Sequence, residues 1–231
     1  MRNIDYSKYN NKVSFLDNLK KDILCKNTEW MPDITISRDP GSGGSIVAAK
    51  VARKMKWKLL DKDILKDLSL DLGIPESEFA AIDEHPRGWW VDMVQSLFNP
   101  DYISDIKYLA HLSKLIIHVA SESQVVVVGR GAGFILPAEK CLRVRIIAHL
   151  STRIASVMKH EQMSKKEARL WVTEVQEKRE KFTQQYFGRS SKLISNYDLM
   201  INTDHFQLDD VRDMVIVAYY AKFPEMKHAK V

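Results

Sequence analysis

Hydrophobic and polar positions alternate over Ile34–Ser37, and this pattern gives way to a glycine-rich turn, Gly41–Ser45. After the turn, apolar residues recur at helical spacing and basic residues lie between them. The apolar positions are Ile46, Val47, Val51 and Met55. This change of period predicts a strand, a tight loop and a helix in direct succession. Such a loop brings backbone N–H groups together at a positive helix end, so it is typical of a phosphate-binding site.

Four further segments have strand character and are separated by helical patterns. They are Trp57–Asp61, Val125–Val128, Arg143–Ile147 and Tyr197–Thr203. Alternating strands and helices predict an α/β fold with a parallel sheet, in which ligands gather at the carboxyl ends of the strands. Polar residues and glycine occupy those ends in four distant segments. They are Ser37, Asp61, Gly129, Arg130, Asn202 and Thr203.

Three helical regions accompany these strands. Residues 1–31 carry an apolar stripe and are predicted to form an N-terminal helical extension, which leaves residues 32–231 as one domain. Residues 73–120 are predicted to form a long helical insertion that contains Trp89 and Trp90, a pair that suits core packing or a dimer face. Residues 159–192 are predicted to be helical, with a capping box formed by Ser164 and Glu167.

The positive charge of the chain is concentrated in the same 159–192 region. The whole chain carries 35 Lys and Arg against 30 Asp and Glu, which gives a net charge of +5. A basic helical segment suits a solvated hairpin, a nucleic-acid contact or a lid that closes over phosphates. No stacking aromatic array or known nucleic-acid motif accompanies it, which argues against nucleic acid. The glycine loop upstream favours the lid.

Composition limits the function classes further. At 231 residues, with 45% hydrophobic and 28% charged residues, the chain has the size and balance of one globular domain. Cys25 and Cys141 suggest neither a disulfide framework nor a metal cluster. Neither a signal core nor a run of about 20 apolar residues is present, so we expect a cytoplasmic protein without membrane contact. Phe134 replaces the last glycine of a dinucleotide-binding pattern, which argues against an oxidoreductase.

The glycine loop matches the phosphate-binding pattern GxxxxGK[ST] incompletely. Alignment on Gly43 and Ser45 places Arg38 where the first glycine belongs and Gly44 where the lysine belongs. The loop therefore lacks the cation that normally meets the β- and γ-phosphates. A simple strand-to-helix connection is the alternative for this segment, because Gly–Ser turns are common.

Several short motifs together resemble the cytidylate kinase-like family, a branch of the nucleoside monophosphate kinases. The matching segments are Ile36–Arg38 with Gly41–Gly44, Leu59–Lys62, Gly129–Ala132 and Tyr197–Thr203. The resemblance covers residues 33–223 and implies a P-loop kinase-type three-layer sandwich with a five-stranded parallel sheet. It also implies a helical acceptor-binding insertion and a helical lid. Members of this branch typically lack the loop lysine.

The same resemblance assigns roles to individual residues. Backbone N–H groups of the loop would hold the phosphates of ATP, with Mg²⁺ at Ser45 and Asp61. The loop residues are Gly41, Ser42, Gly43, Gly44 and Ser45. Asn202 and Thr203 would border the donor base, and Asp61 would meet the acceptor sugar. These roles are expectations, and the structure shows where each of the residues lies.

Arginines are the expected catalytic residues, because phosphoryl transfer needs charge neutralisation more than acid–base chemistry. Arg38 either supplies the missing loop cation or pairs with Asp39 or Asp61. Arg130 follows a buried strand, where its guanidinium is well placed to grip the acceptor phosphate. Arg179 would come down from the lid. Arg153 is either structural or phosphate-facing.

Two functions follow from these patterns. The first is transfer of the γ-phosphoryl group of ATP to a nucleoside monophosphate, with CMP as the expected acceptor. The second is a nucleotide-binding module with weak or no catalysis that acts through a protein partner. The absent lysine and the presence of Gln184 and Gln185 on the lid favour the second. The residues assembled at the strand ends favour the first, in a monomer or a homodimer.

Overall fold

The computed structural model describes residues 30–61 and 105–227. Residues 1–29 of the expected N-terminal extension, the helix expected from Asp63, and Trp89 and Trp90 of the insertion lie outside the described residues.

The described residues contain five strands and six helices, which alternate along most of the chain. The strands are β1 Asp33–Arg38, β2 Lys58–Leu60, β3 Val125–Val128, β4 Cys141–Ile147 and β5 Leu199–Asn202. The helices are α1 Gly44–Met55, α2 Asp105–Glu122, α3 Ala132–Ile135, α4 Leu150–Glu161, α5 Lys165–Phe187 and α6 Leu208–Lys222. Short 3-10 turns occupy Ala138–Lys140, Ile194–Asn196 and Pro224–Lys227.

The five strands form one parallel sheet in the order β2-β3-β1-β4-β5. The register pairs Ile36 of β1 with Val128 of β3 and with Val144 of β4. Strand β1 therefore lies at the centre, and its carboxyl end lies between those of β3 and β4. This confirms the predicted α/β fold with a five-stranded parallel sheet.

Two apolar cores cover the two faces of the sheet, because side chains alternate along each strand. Ile34 and Ile36 pack with α1 and α6 on one face. Val125 and Val127 pack with α2, α3 and the end of α5 on the other face. Together with the sheet, the helices form the expected three-layer sandwich. The odd-numbered residues of β4 point to the α3 and α5 face.

Helices α4 and α5 form a hairpin with a small core of its own. Buried residues from both helices make this core: Ile154, Val157, Ala168 and Val172. Ser164 Oγ accepts the Glu167 amide, and Glu167 accepts the Ser164 amide, which is the predicted capping box. At the other end of α5, Phe187 is 3% exposed and belongs to the main core. The helix therefore joins the hairpin to the sheet.

Among the helices in the described ranges, none combines the length and the apolar character that a membrane crossing requires.

Candidate functional site

The glycine loop connects β1 to α1 and is braced from within. Ser42 is buried, and its Oγ lies 2.9 Å from the Asp39 carbonyl oxygen and 3.2 Å from that of Ile146. Thr203 Oγ1 donates to the Ser42 carbonyl over 3.0 Å. The Ser42 hydroxyl thus forms its hydrogen bonds within the loop region. A ligand at this loop would therefore contact the backbone.

The amino-terminal end of α1 has the properties of an anion site. Its first intrahelical bond runs from the Val47 amide to the Gly43 carbonyl, so the amides of Gly44, Ser45 and Ile46 have no intrahelical acceptor. A side-chain cap is missing there, and the first turn carries no acid. Gly43 has a left-handed backbone with φ of 78°. Free amides and the helix dipole together suit the phosphates of a nucleotide.

Arg38 ends strand β1 and extends across the mouth of this loop. Its Nε donates to Ser45 Oγ over 3.3 Å. A Cβ atom on Gly44 would overlap the Arg38 Cβ, and a Cβ on Gly129 would overlap Arg38 Nη1. The arginine therefore fills the space above two glycines. Burial lowers the pKa of Arg38 to about 10, and the charge of Arg130 acts in the same direction.

Arg130 lies in a strained turn after β3. Its φ of 51° is left-handed, between Gly129 at 76° and Gly131 at 67°. A non-glycine residue rarely adopts this conformation, and such strain costs on the order of 1–3 kcal/mol. Among the described residues, the Arg130 guanidinium makes neither a hydrogen bond nor an ion pair. The turn holds this cation at the carboxyl edge of the sheet.

Arg179 reaches the same edge from helix α5. Its Nη1 donates to the Arg38 carbonyl oxygen over 2.9 Å. Burial holds the pKa of Arg179 well below its usual range, and the nearby charges of Arg38 and Arg145 lower it further. Its neighbours on the helix behave differently: Lys178 pairs with Glu174, and Lys181 is exposed. Of the basic side chains expected from this segment, only Arg179 lines the pocket among the described residues.

Arg145 is a fourth arginine at this edge, and the sequence interpretation missed it. It leaves β4, is 5% exposed, and donates to Asp39 Oδ1 over 2.5 Å and to Ser37 Oγ over 2.8 Å. Its guanidinium carbon lies 5.8 Å from the centre of the Tyr197 ring. Inner parallel strands are usually apolar on both faces. The presence of a charged residue in such a strand could therefore have identified Arg145 as a candidate site residue.

The four arginines line one pocket with a cavity volume of about 120 Å³. The pocket lies between the ends of β1 and β3 and the carboxyl-terminal half of α5. Phe134 and Phe182 give it an apolar wall, and Ser191, Asn196 and Tyr197 give it a polar one. Tyr197 is tied in place because its hydroxyl donates to the Ser191 carbonyl over 2.8 Å. This wall comes from the segment before β5. The sequence pattern placed Ser191 in the helical 159–192 region and Tyr197 in a strand, and it gave neither a role in a site.

The expected metal ligands both lie near Arg38. Ser45 Oγ accepts a hydrogen bond from Arg38 Nε. The negative charge of Asp61 acts to raise the pKa of Arg38, but burial lowers that pKa by more. Groups of three or more His, Cys, Asp or Glu side chains suited to a metal are absent from residues 30–61 and 105–227.

The remaining predicted residues lie around the loop and not in the pocket. Arg153 Nε donates to the Ala148 carbonyl over 3.1 Å, and its Nη1 donates to Gln176 over 3.2 Å, so the side chain links α4 to α5. The Arg153 carbonyl lies against Gly41. Asn202 is exposed, and its Oδ1 accepts the Asp204 amide over 3.1 Å.

Comparison with known sequences bears on the family of this chain. The sequence profile described as the cytidylate kinase-like family matches residues 33–205. A cytidylate kinase from Sulfolobus acidocaldarius is 25% identical over 189 residues, which cover 79% of this chain and 91% of that protein. These matches confirm the resemblance found in the short motifs.

A solved structure of a similar protein shows the same fold. The crystal structure of an uncharacterized protein from Eubacterium ventriosum superposes with a TM-score of 0.62 at 21% identity, over 81% of this chain and 97% of that one. A shikimate kinase from Bacteroides thetaiotaomicron has a TM-score of 0.46 at 14% identity, over 82% and 98% of the two chains. The profile match spans most of the sequence, and the chain therefore belongs to the cytidylate kinase-like family.

Proposed function

We propose that this protein transfers the γ-phosphoryl group of ATP to a nucleoside monophosphate, with a CMP-like acceptor. One observation carries the proposal. Arg38, Arg130 and Arg179 come from three distant segments and converge on one pocket beside an uncapped helix end. Family membership supports nucleotide kinase chemistry, and the relative from Sulfolobus acidocaldarius, itself called a cytidylate kinase, supports the choice of acceptor.

The donor side consists of the glycine loop. The free amides of Gly44 and Ser45 would bind the β- and γ-phosphates of ATP, while Gly41 and Gly43 let the chain turn around them. Arg38 would replace the missing lysine, because its guanidinium lies beside Ser45 at the mouth of the loop. When Mg²⁺ is bound, it neutralises phosphate charge, and the Ser45 hydroxyl and Asp61 are the residues that would face it.

The acceptor side consists of Arg130 and Arg179. The acceptor phosphate is already an anion, so the transfer requires alignment and charge stabilisation and little proton movement. Arg130 would grip the acceptor phosphate in the ground state. Arg179 would stabilise the transferring group, because it reaches the Arg38 backbone from the helix above.

A coupled assay of ADP formation over a panel of monophosphates tests this proposal. We expect turnover with CMP or a close analogue that depends on both nucleotides and on Mg²⁺. Arg130→Ala should raise the acceptor KM, whereas Arg179→Ala should lower kcat. ATP binding without turnover on any acceptor would instead support the non-catalytic module.

The role of the glycine loop in ATP binding is tested by a separate variant. Gly43→Val should abolish ATP binding in calorimetry, because φ at Gly43 is 78° and a Cβ would meet the Leu208 side chain. Unchanged ATP affinity in this variant would mean that the loop is only a connection.

A further inference from the structure

Glu180 follows Arg179 on helix α5, and its carboxylate accepts four hydrogen bonds. Ser190 Oγ and Gln184 Nε2 donate to Oε1. Ser191 donates to Oε2 twice, from its amide over 3.0 Å and from its Oγ over 2.5 Å. Three of the four donors thus belong to residues 190 and 191, which follow the end of the helix. The carboxylate fastens this segment to the side of α5.

This contact depends on a charged carboxylate. Burial would raise the pKa of Glu180, but hydrogen bonds from Ser190 and Ser191 outweigh it and lower the pKa, and the charge of Lys192 acts with them. The side chain is therefore ionised at neutral pH. A hydrogen bond to an ionised acceptor is roughly twice as strong as one between neutral groups. An uncharged residue of the same shape would hold the segment less firmly.

The fastened segment forms the polar wall of the pocket. Ser191 is 3% exposed and lines the pocket together with Asn196 and Tyr197. The Ser191 carbonyl accepts the Tyr197 hydroxyl, and the Ser190 carbonyl accepts Asn196 Nδ2 over 2.8 Å. The position of this wall relative to α5 is therefore set at Glu180.

The same segment leads back to the end of β1. The hydroxyl oxygens of Tyr197 and Ser37 lie 3.4 Å apart, and Ser37 precedes Arg38, whose carbonyl accepts Arg179 Nη1. Helix α5 is therefore attached to β1 at two points. One is Arg179 itself, and the other is Glu180, by way of the segment that ends at Tyr197. Consecutive residues project about 100° apart on a helix, so the two attachments together restrict its rotation.

The position of Arg179 needs this second attachment. Burial lowers the pKa of Arg179, and the charges of Arg38 and Arg145 lower it further, while the charge of Asp39 opposes them. The hydrogen bond from Arg179 to the Arg38 carbonyl joins it to a residue whose side chain repels it. The attachment at Glu180 carries no such repulsion, and it holds α5 close to the strand ends.

We propose that Glu180 is a positioning residue, which holds helix α5 against the polar wall and so keeps the Arg179 guanidinium at the end of β1. The attachment rests on the contacts of Glu180. Its consequence for turnover rests on the proposed function, in which Arg179 stabilises the transferring group.

Steady-state kinetics of Glu180→Gln in the ADP assay test this proposal. The amide keeps the size of the side chain and removes its charge. We expect kcat to fall roughly 10- to 100-fold, which is the cost of misplacing a catalytic group by about 1 Å. The KM values for ATP and for the acceptor should stay the same, because Arg179 is assigned to the transition state.

A double-mutant cycle separates positioning from a structural role. In the Arg179→Ala background, Glu180→Gln should change kcat by less than about two-fold, because the residue through which Glu180 acts is already absent. A residue that only stabilises the fold would have the same effect in both backgrounds. Additive effects of the two substitutions on kcat would therefore overturn the proposal.

The chain offers a matched control in Glu174, which lies on the same helix. Its carboxylate pairs with Lys178 over 3.9 Å, and it does not line the pocket. Glu174→Gln should leave kcat unchanged. Ser190→Ala removes one donor from the other side of the contact, so it provides the test if Glu180→Gln does not fold. It should lower kcat roughly five-fold, again only where Arg179 is present, and an unchanged kcat would overturn the proposal.

Hydrogen exchange tests the attachment without turnover. The Ser191 amide donates to Glu180, so peptides that cover residues 188–197 should exchange roughly ten-fold faster in Glu180→Gln than in the wild type or in Glu174→Gln. Equal exchange in all three proteins would overturn the proposal, whatever the ADP assay gives. Faster exchange in a protein that forms no ADP with any acceptor would overturn the proposed function and support the attachment of α5 at Glu180.

Discussion

Arg143 and Arg145 leave strand β4 on the same face, and each pairs with an aspartate, but their surroundings differ. Arg143 meets Asp198 over 2.7 Å, and Lys222 meets the same carboxylate over 2.8 Å. The hydrogen bonds that Arg143 donates to Asp198 raise the pKa of Arg143. Burial would raise the pKa of Asp198, but hydrogen bonds from Arg143 and Lys222 outweigh it and hold that pKa at about 2. Every charge in this group is stabilised.

The arginines around Arg145 show the opposite behaviour. Burial and mutual repulsion lower the pKa values of Arg38 and Arg179. In the first group charges are matched, so the fold gains stability from them. In the second group, the fold holds like charges close together, which lowers the stability of the protein. A bound anion would remove this repulsion. One strand thus carries a cluster of matched charges near its start and a cluster of mutually repelling arginines at its end.

Among the variants that test this contrast, Arg38→Ala is expected to have the largest effect. We expect kcat to fall roughly 100- to 1,000-fold, because a preorganised charge beside the transferring group is lost. The melting temperature should stay level or rise, since the substitution relieves repulsion and keeps the backbone carbonyl that Arg179 uses. Steady-state kinetics and thermal melts measure both. Full activity with a lower melting temperature would show that Arg38 is a structural residue.

Gly129→Ala should have the next largest effect. The added Cβ would overlap Arg38 Nη1, at a backbone φ of 76°. Displacement of the guanidinium by about 1 Å should lower kcat roughly 100-fold. Gly133→Ala is the control, because its Cβ would lie 3.2 Å from Thr35 Oγ1 and away from Arg38. Equal kinetics for the two variants would contradict the close approach of Arg38 to Gly129.

Arg143→Ala tests the matched cluster. It should lower the free energy of unfolding by about 2 kcal/mol, the value of a hydrogen bond between charged groups. Both kcat and KM should be unchanged. The pKa of Asp198 lies below its ordinary 3.8, so this stabilisation is complete above about pH 4 and is lost as the pH falls towards 2. Denaturant unfolding at several pH values measures it; an activity loss that matches Arg38→Ala would remove the contrast.

Ser164→Ala is the smallest change and belongs to neither cluster. Loss of the helix cap should cost about 1 kcal/mol. The hairpin has its own core, so we expect ATP affinity and kcat to stay the same. Urea unfolding and calorimetry measure the two effects. Weaker ATP binding in this variant would show that the hairpin and the glycine loop are coupled.

The sequence predicted the parts of this site that depend on local pattern. Strand order along the chain, the glycine loop and the capping box all follow from the spacing of residues. The reach of a side chain is a tertiary property, and so the pairing of Arg145 with Asp39, 106 positions away, could not be predicted. Arg153 shows the converse: the residue was named, but its bonds to Ala148 and Gln176 depend on how α4 meets α5.

The packing of Arg38 over Gly44 and Gly129 restricts how this loop can change during evolution. A side chain at position 44 would collide with the arginine, so the usual lysine is incompatible with Arg38 as it lies here. Conversion to the common motif therefore needs Arg38→Gly together with Gly44→Lys. Arg38→Gly alone would leave the loop without a cation, and Gly44→Lys alone would bring the new side chain into the Arg38 Cβ.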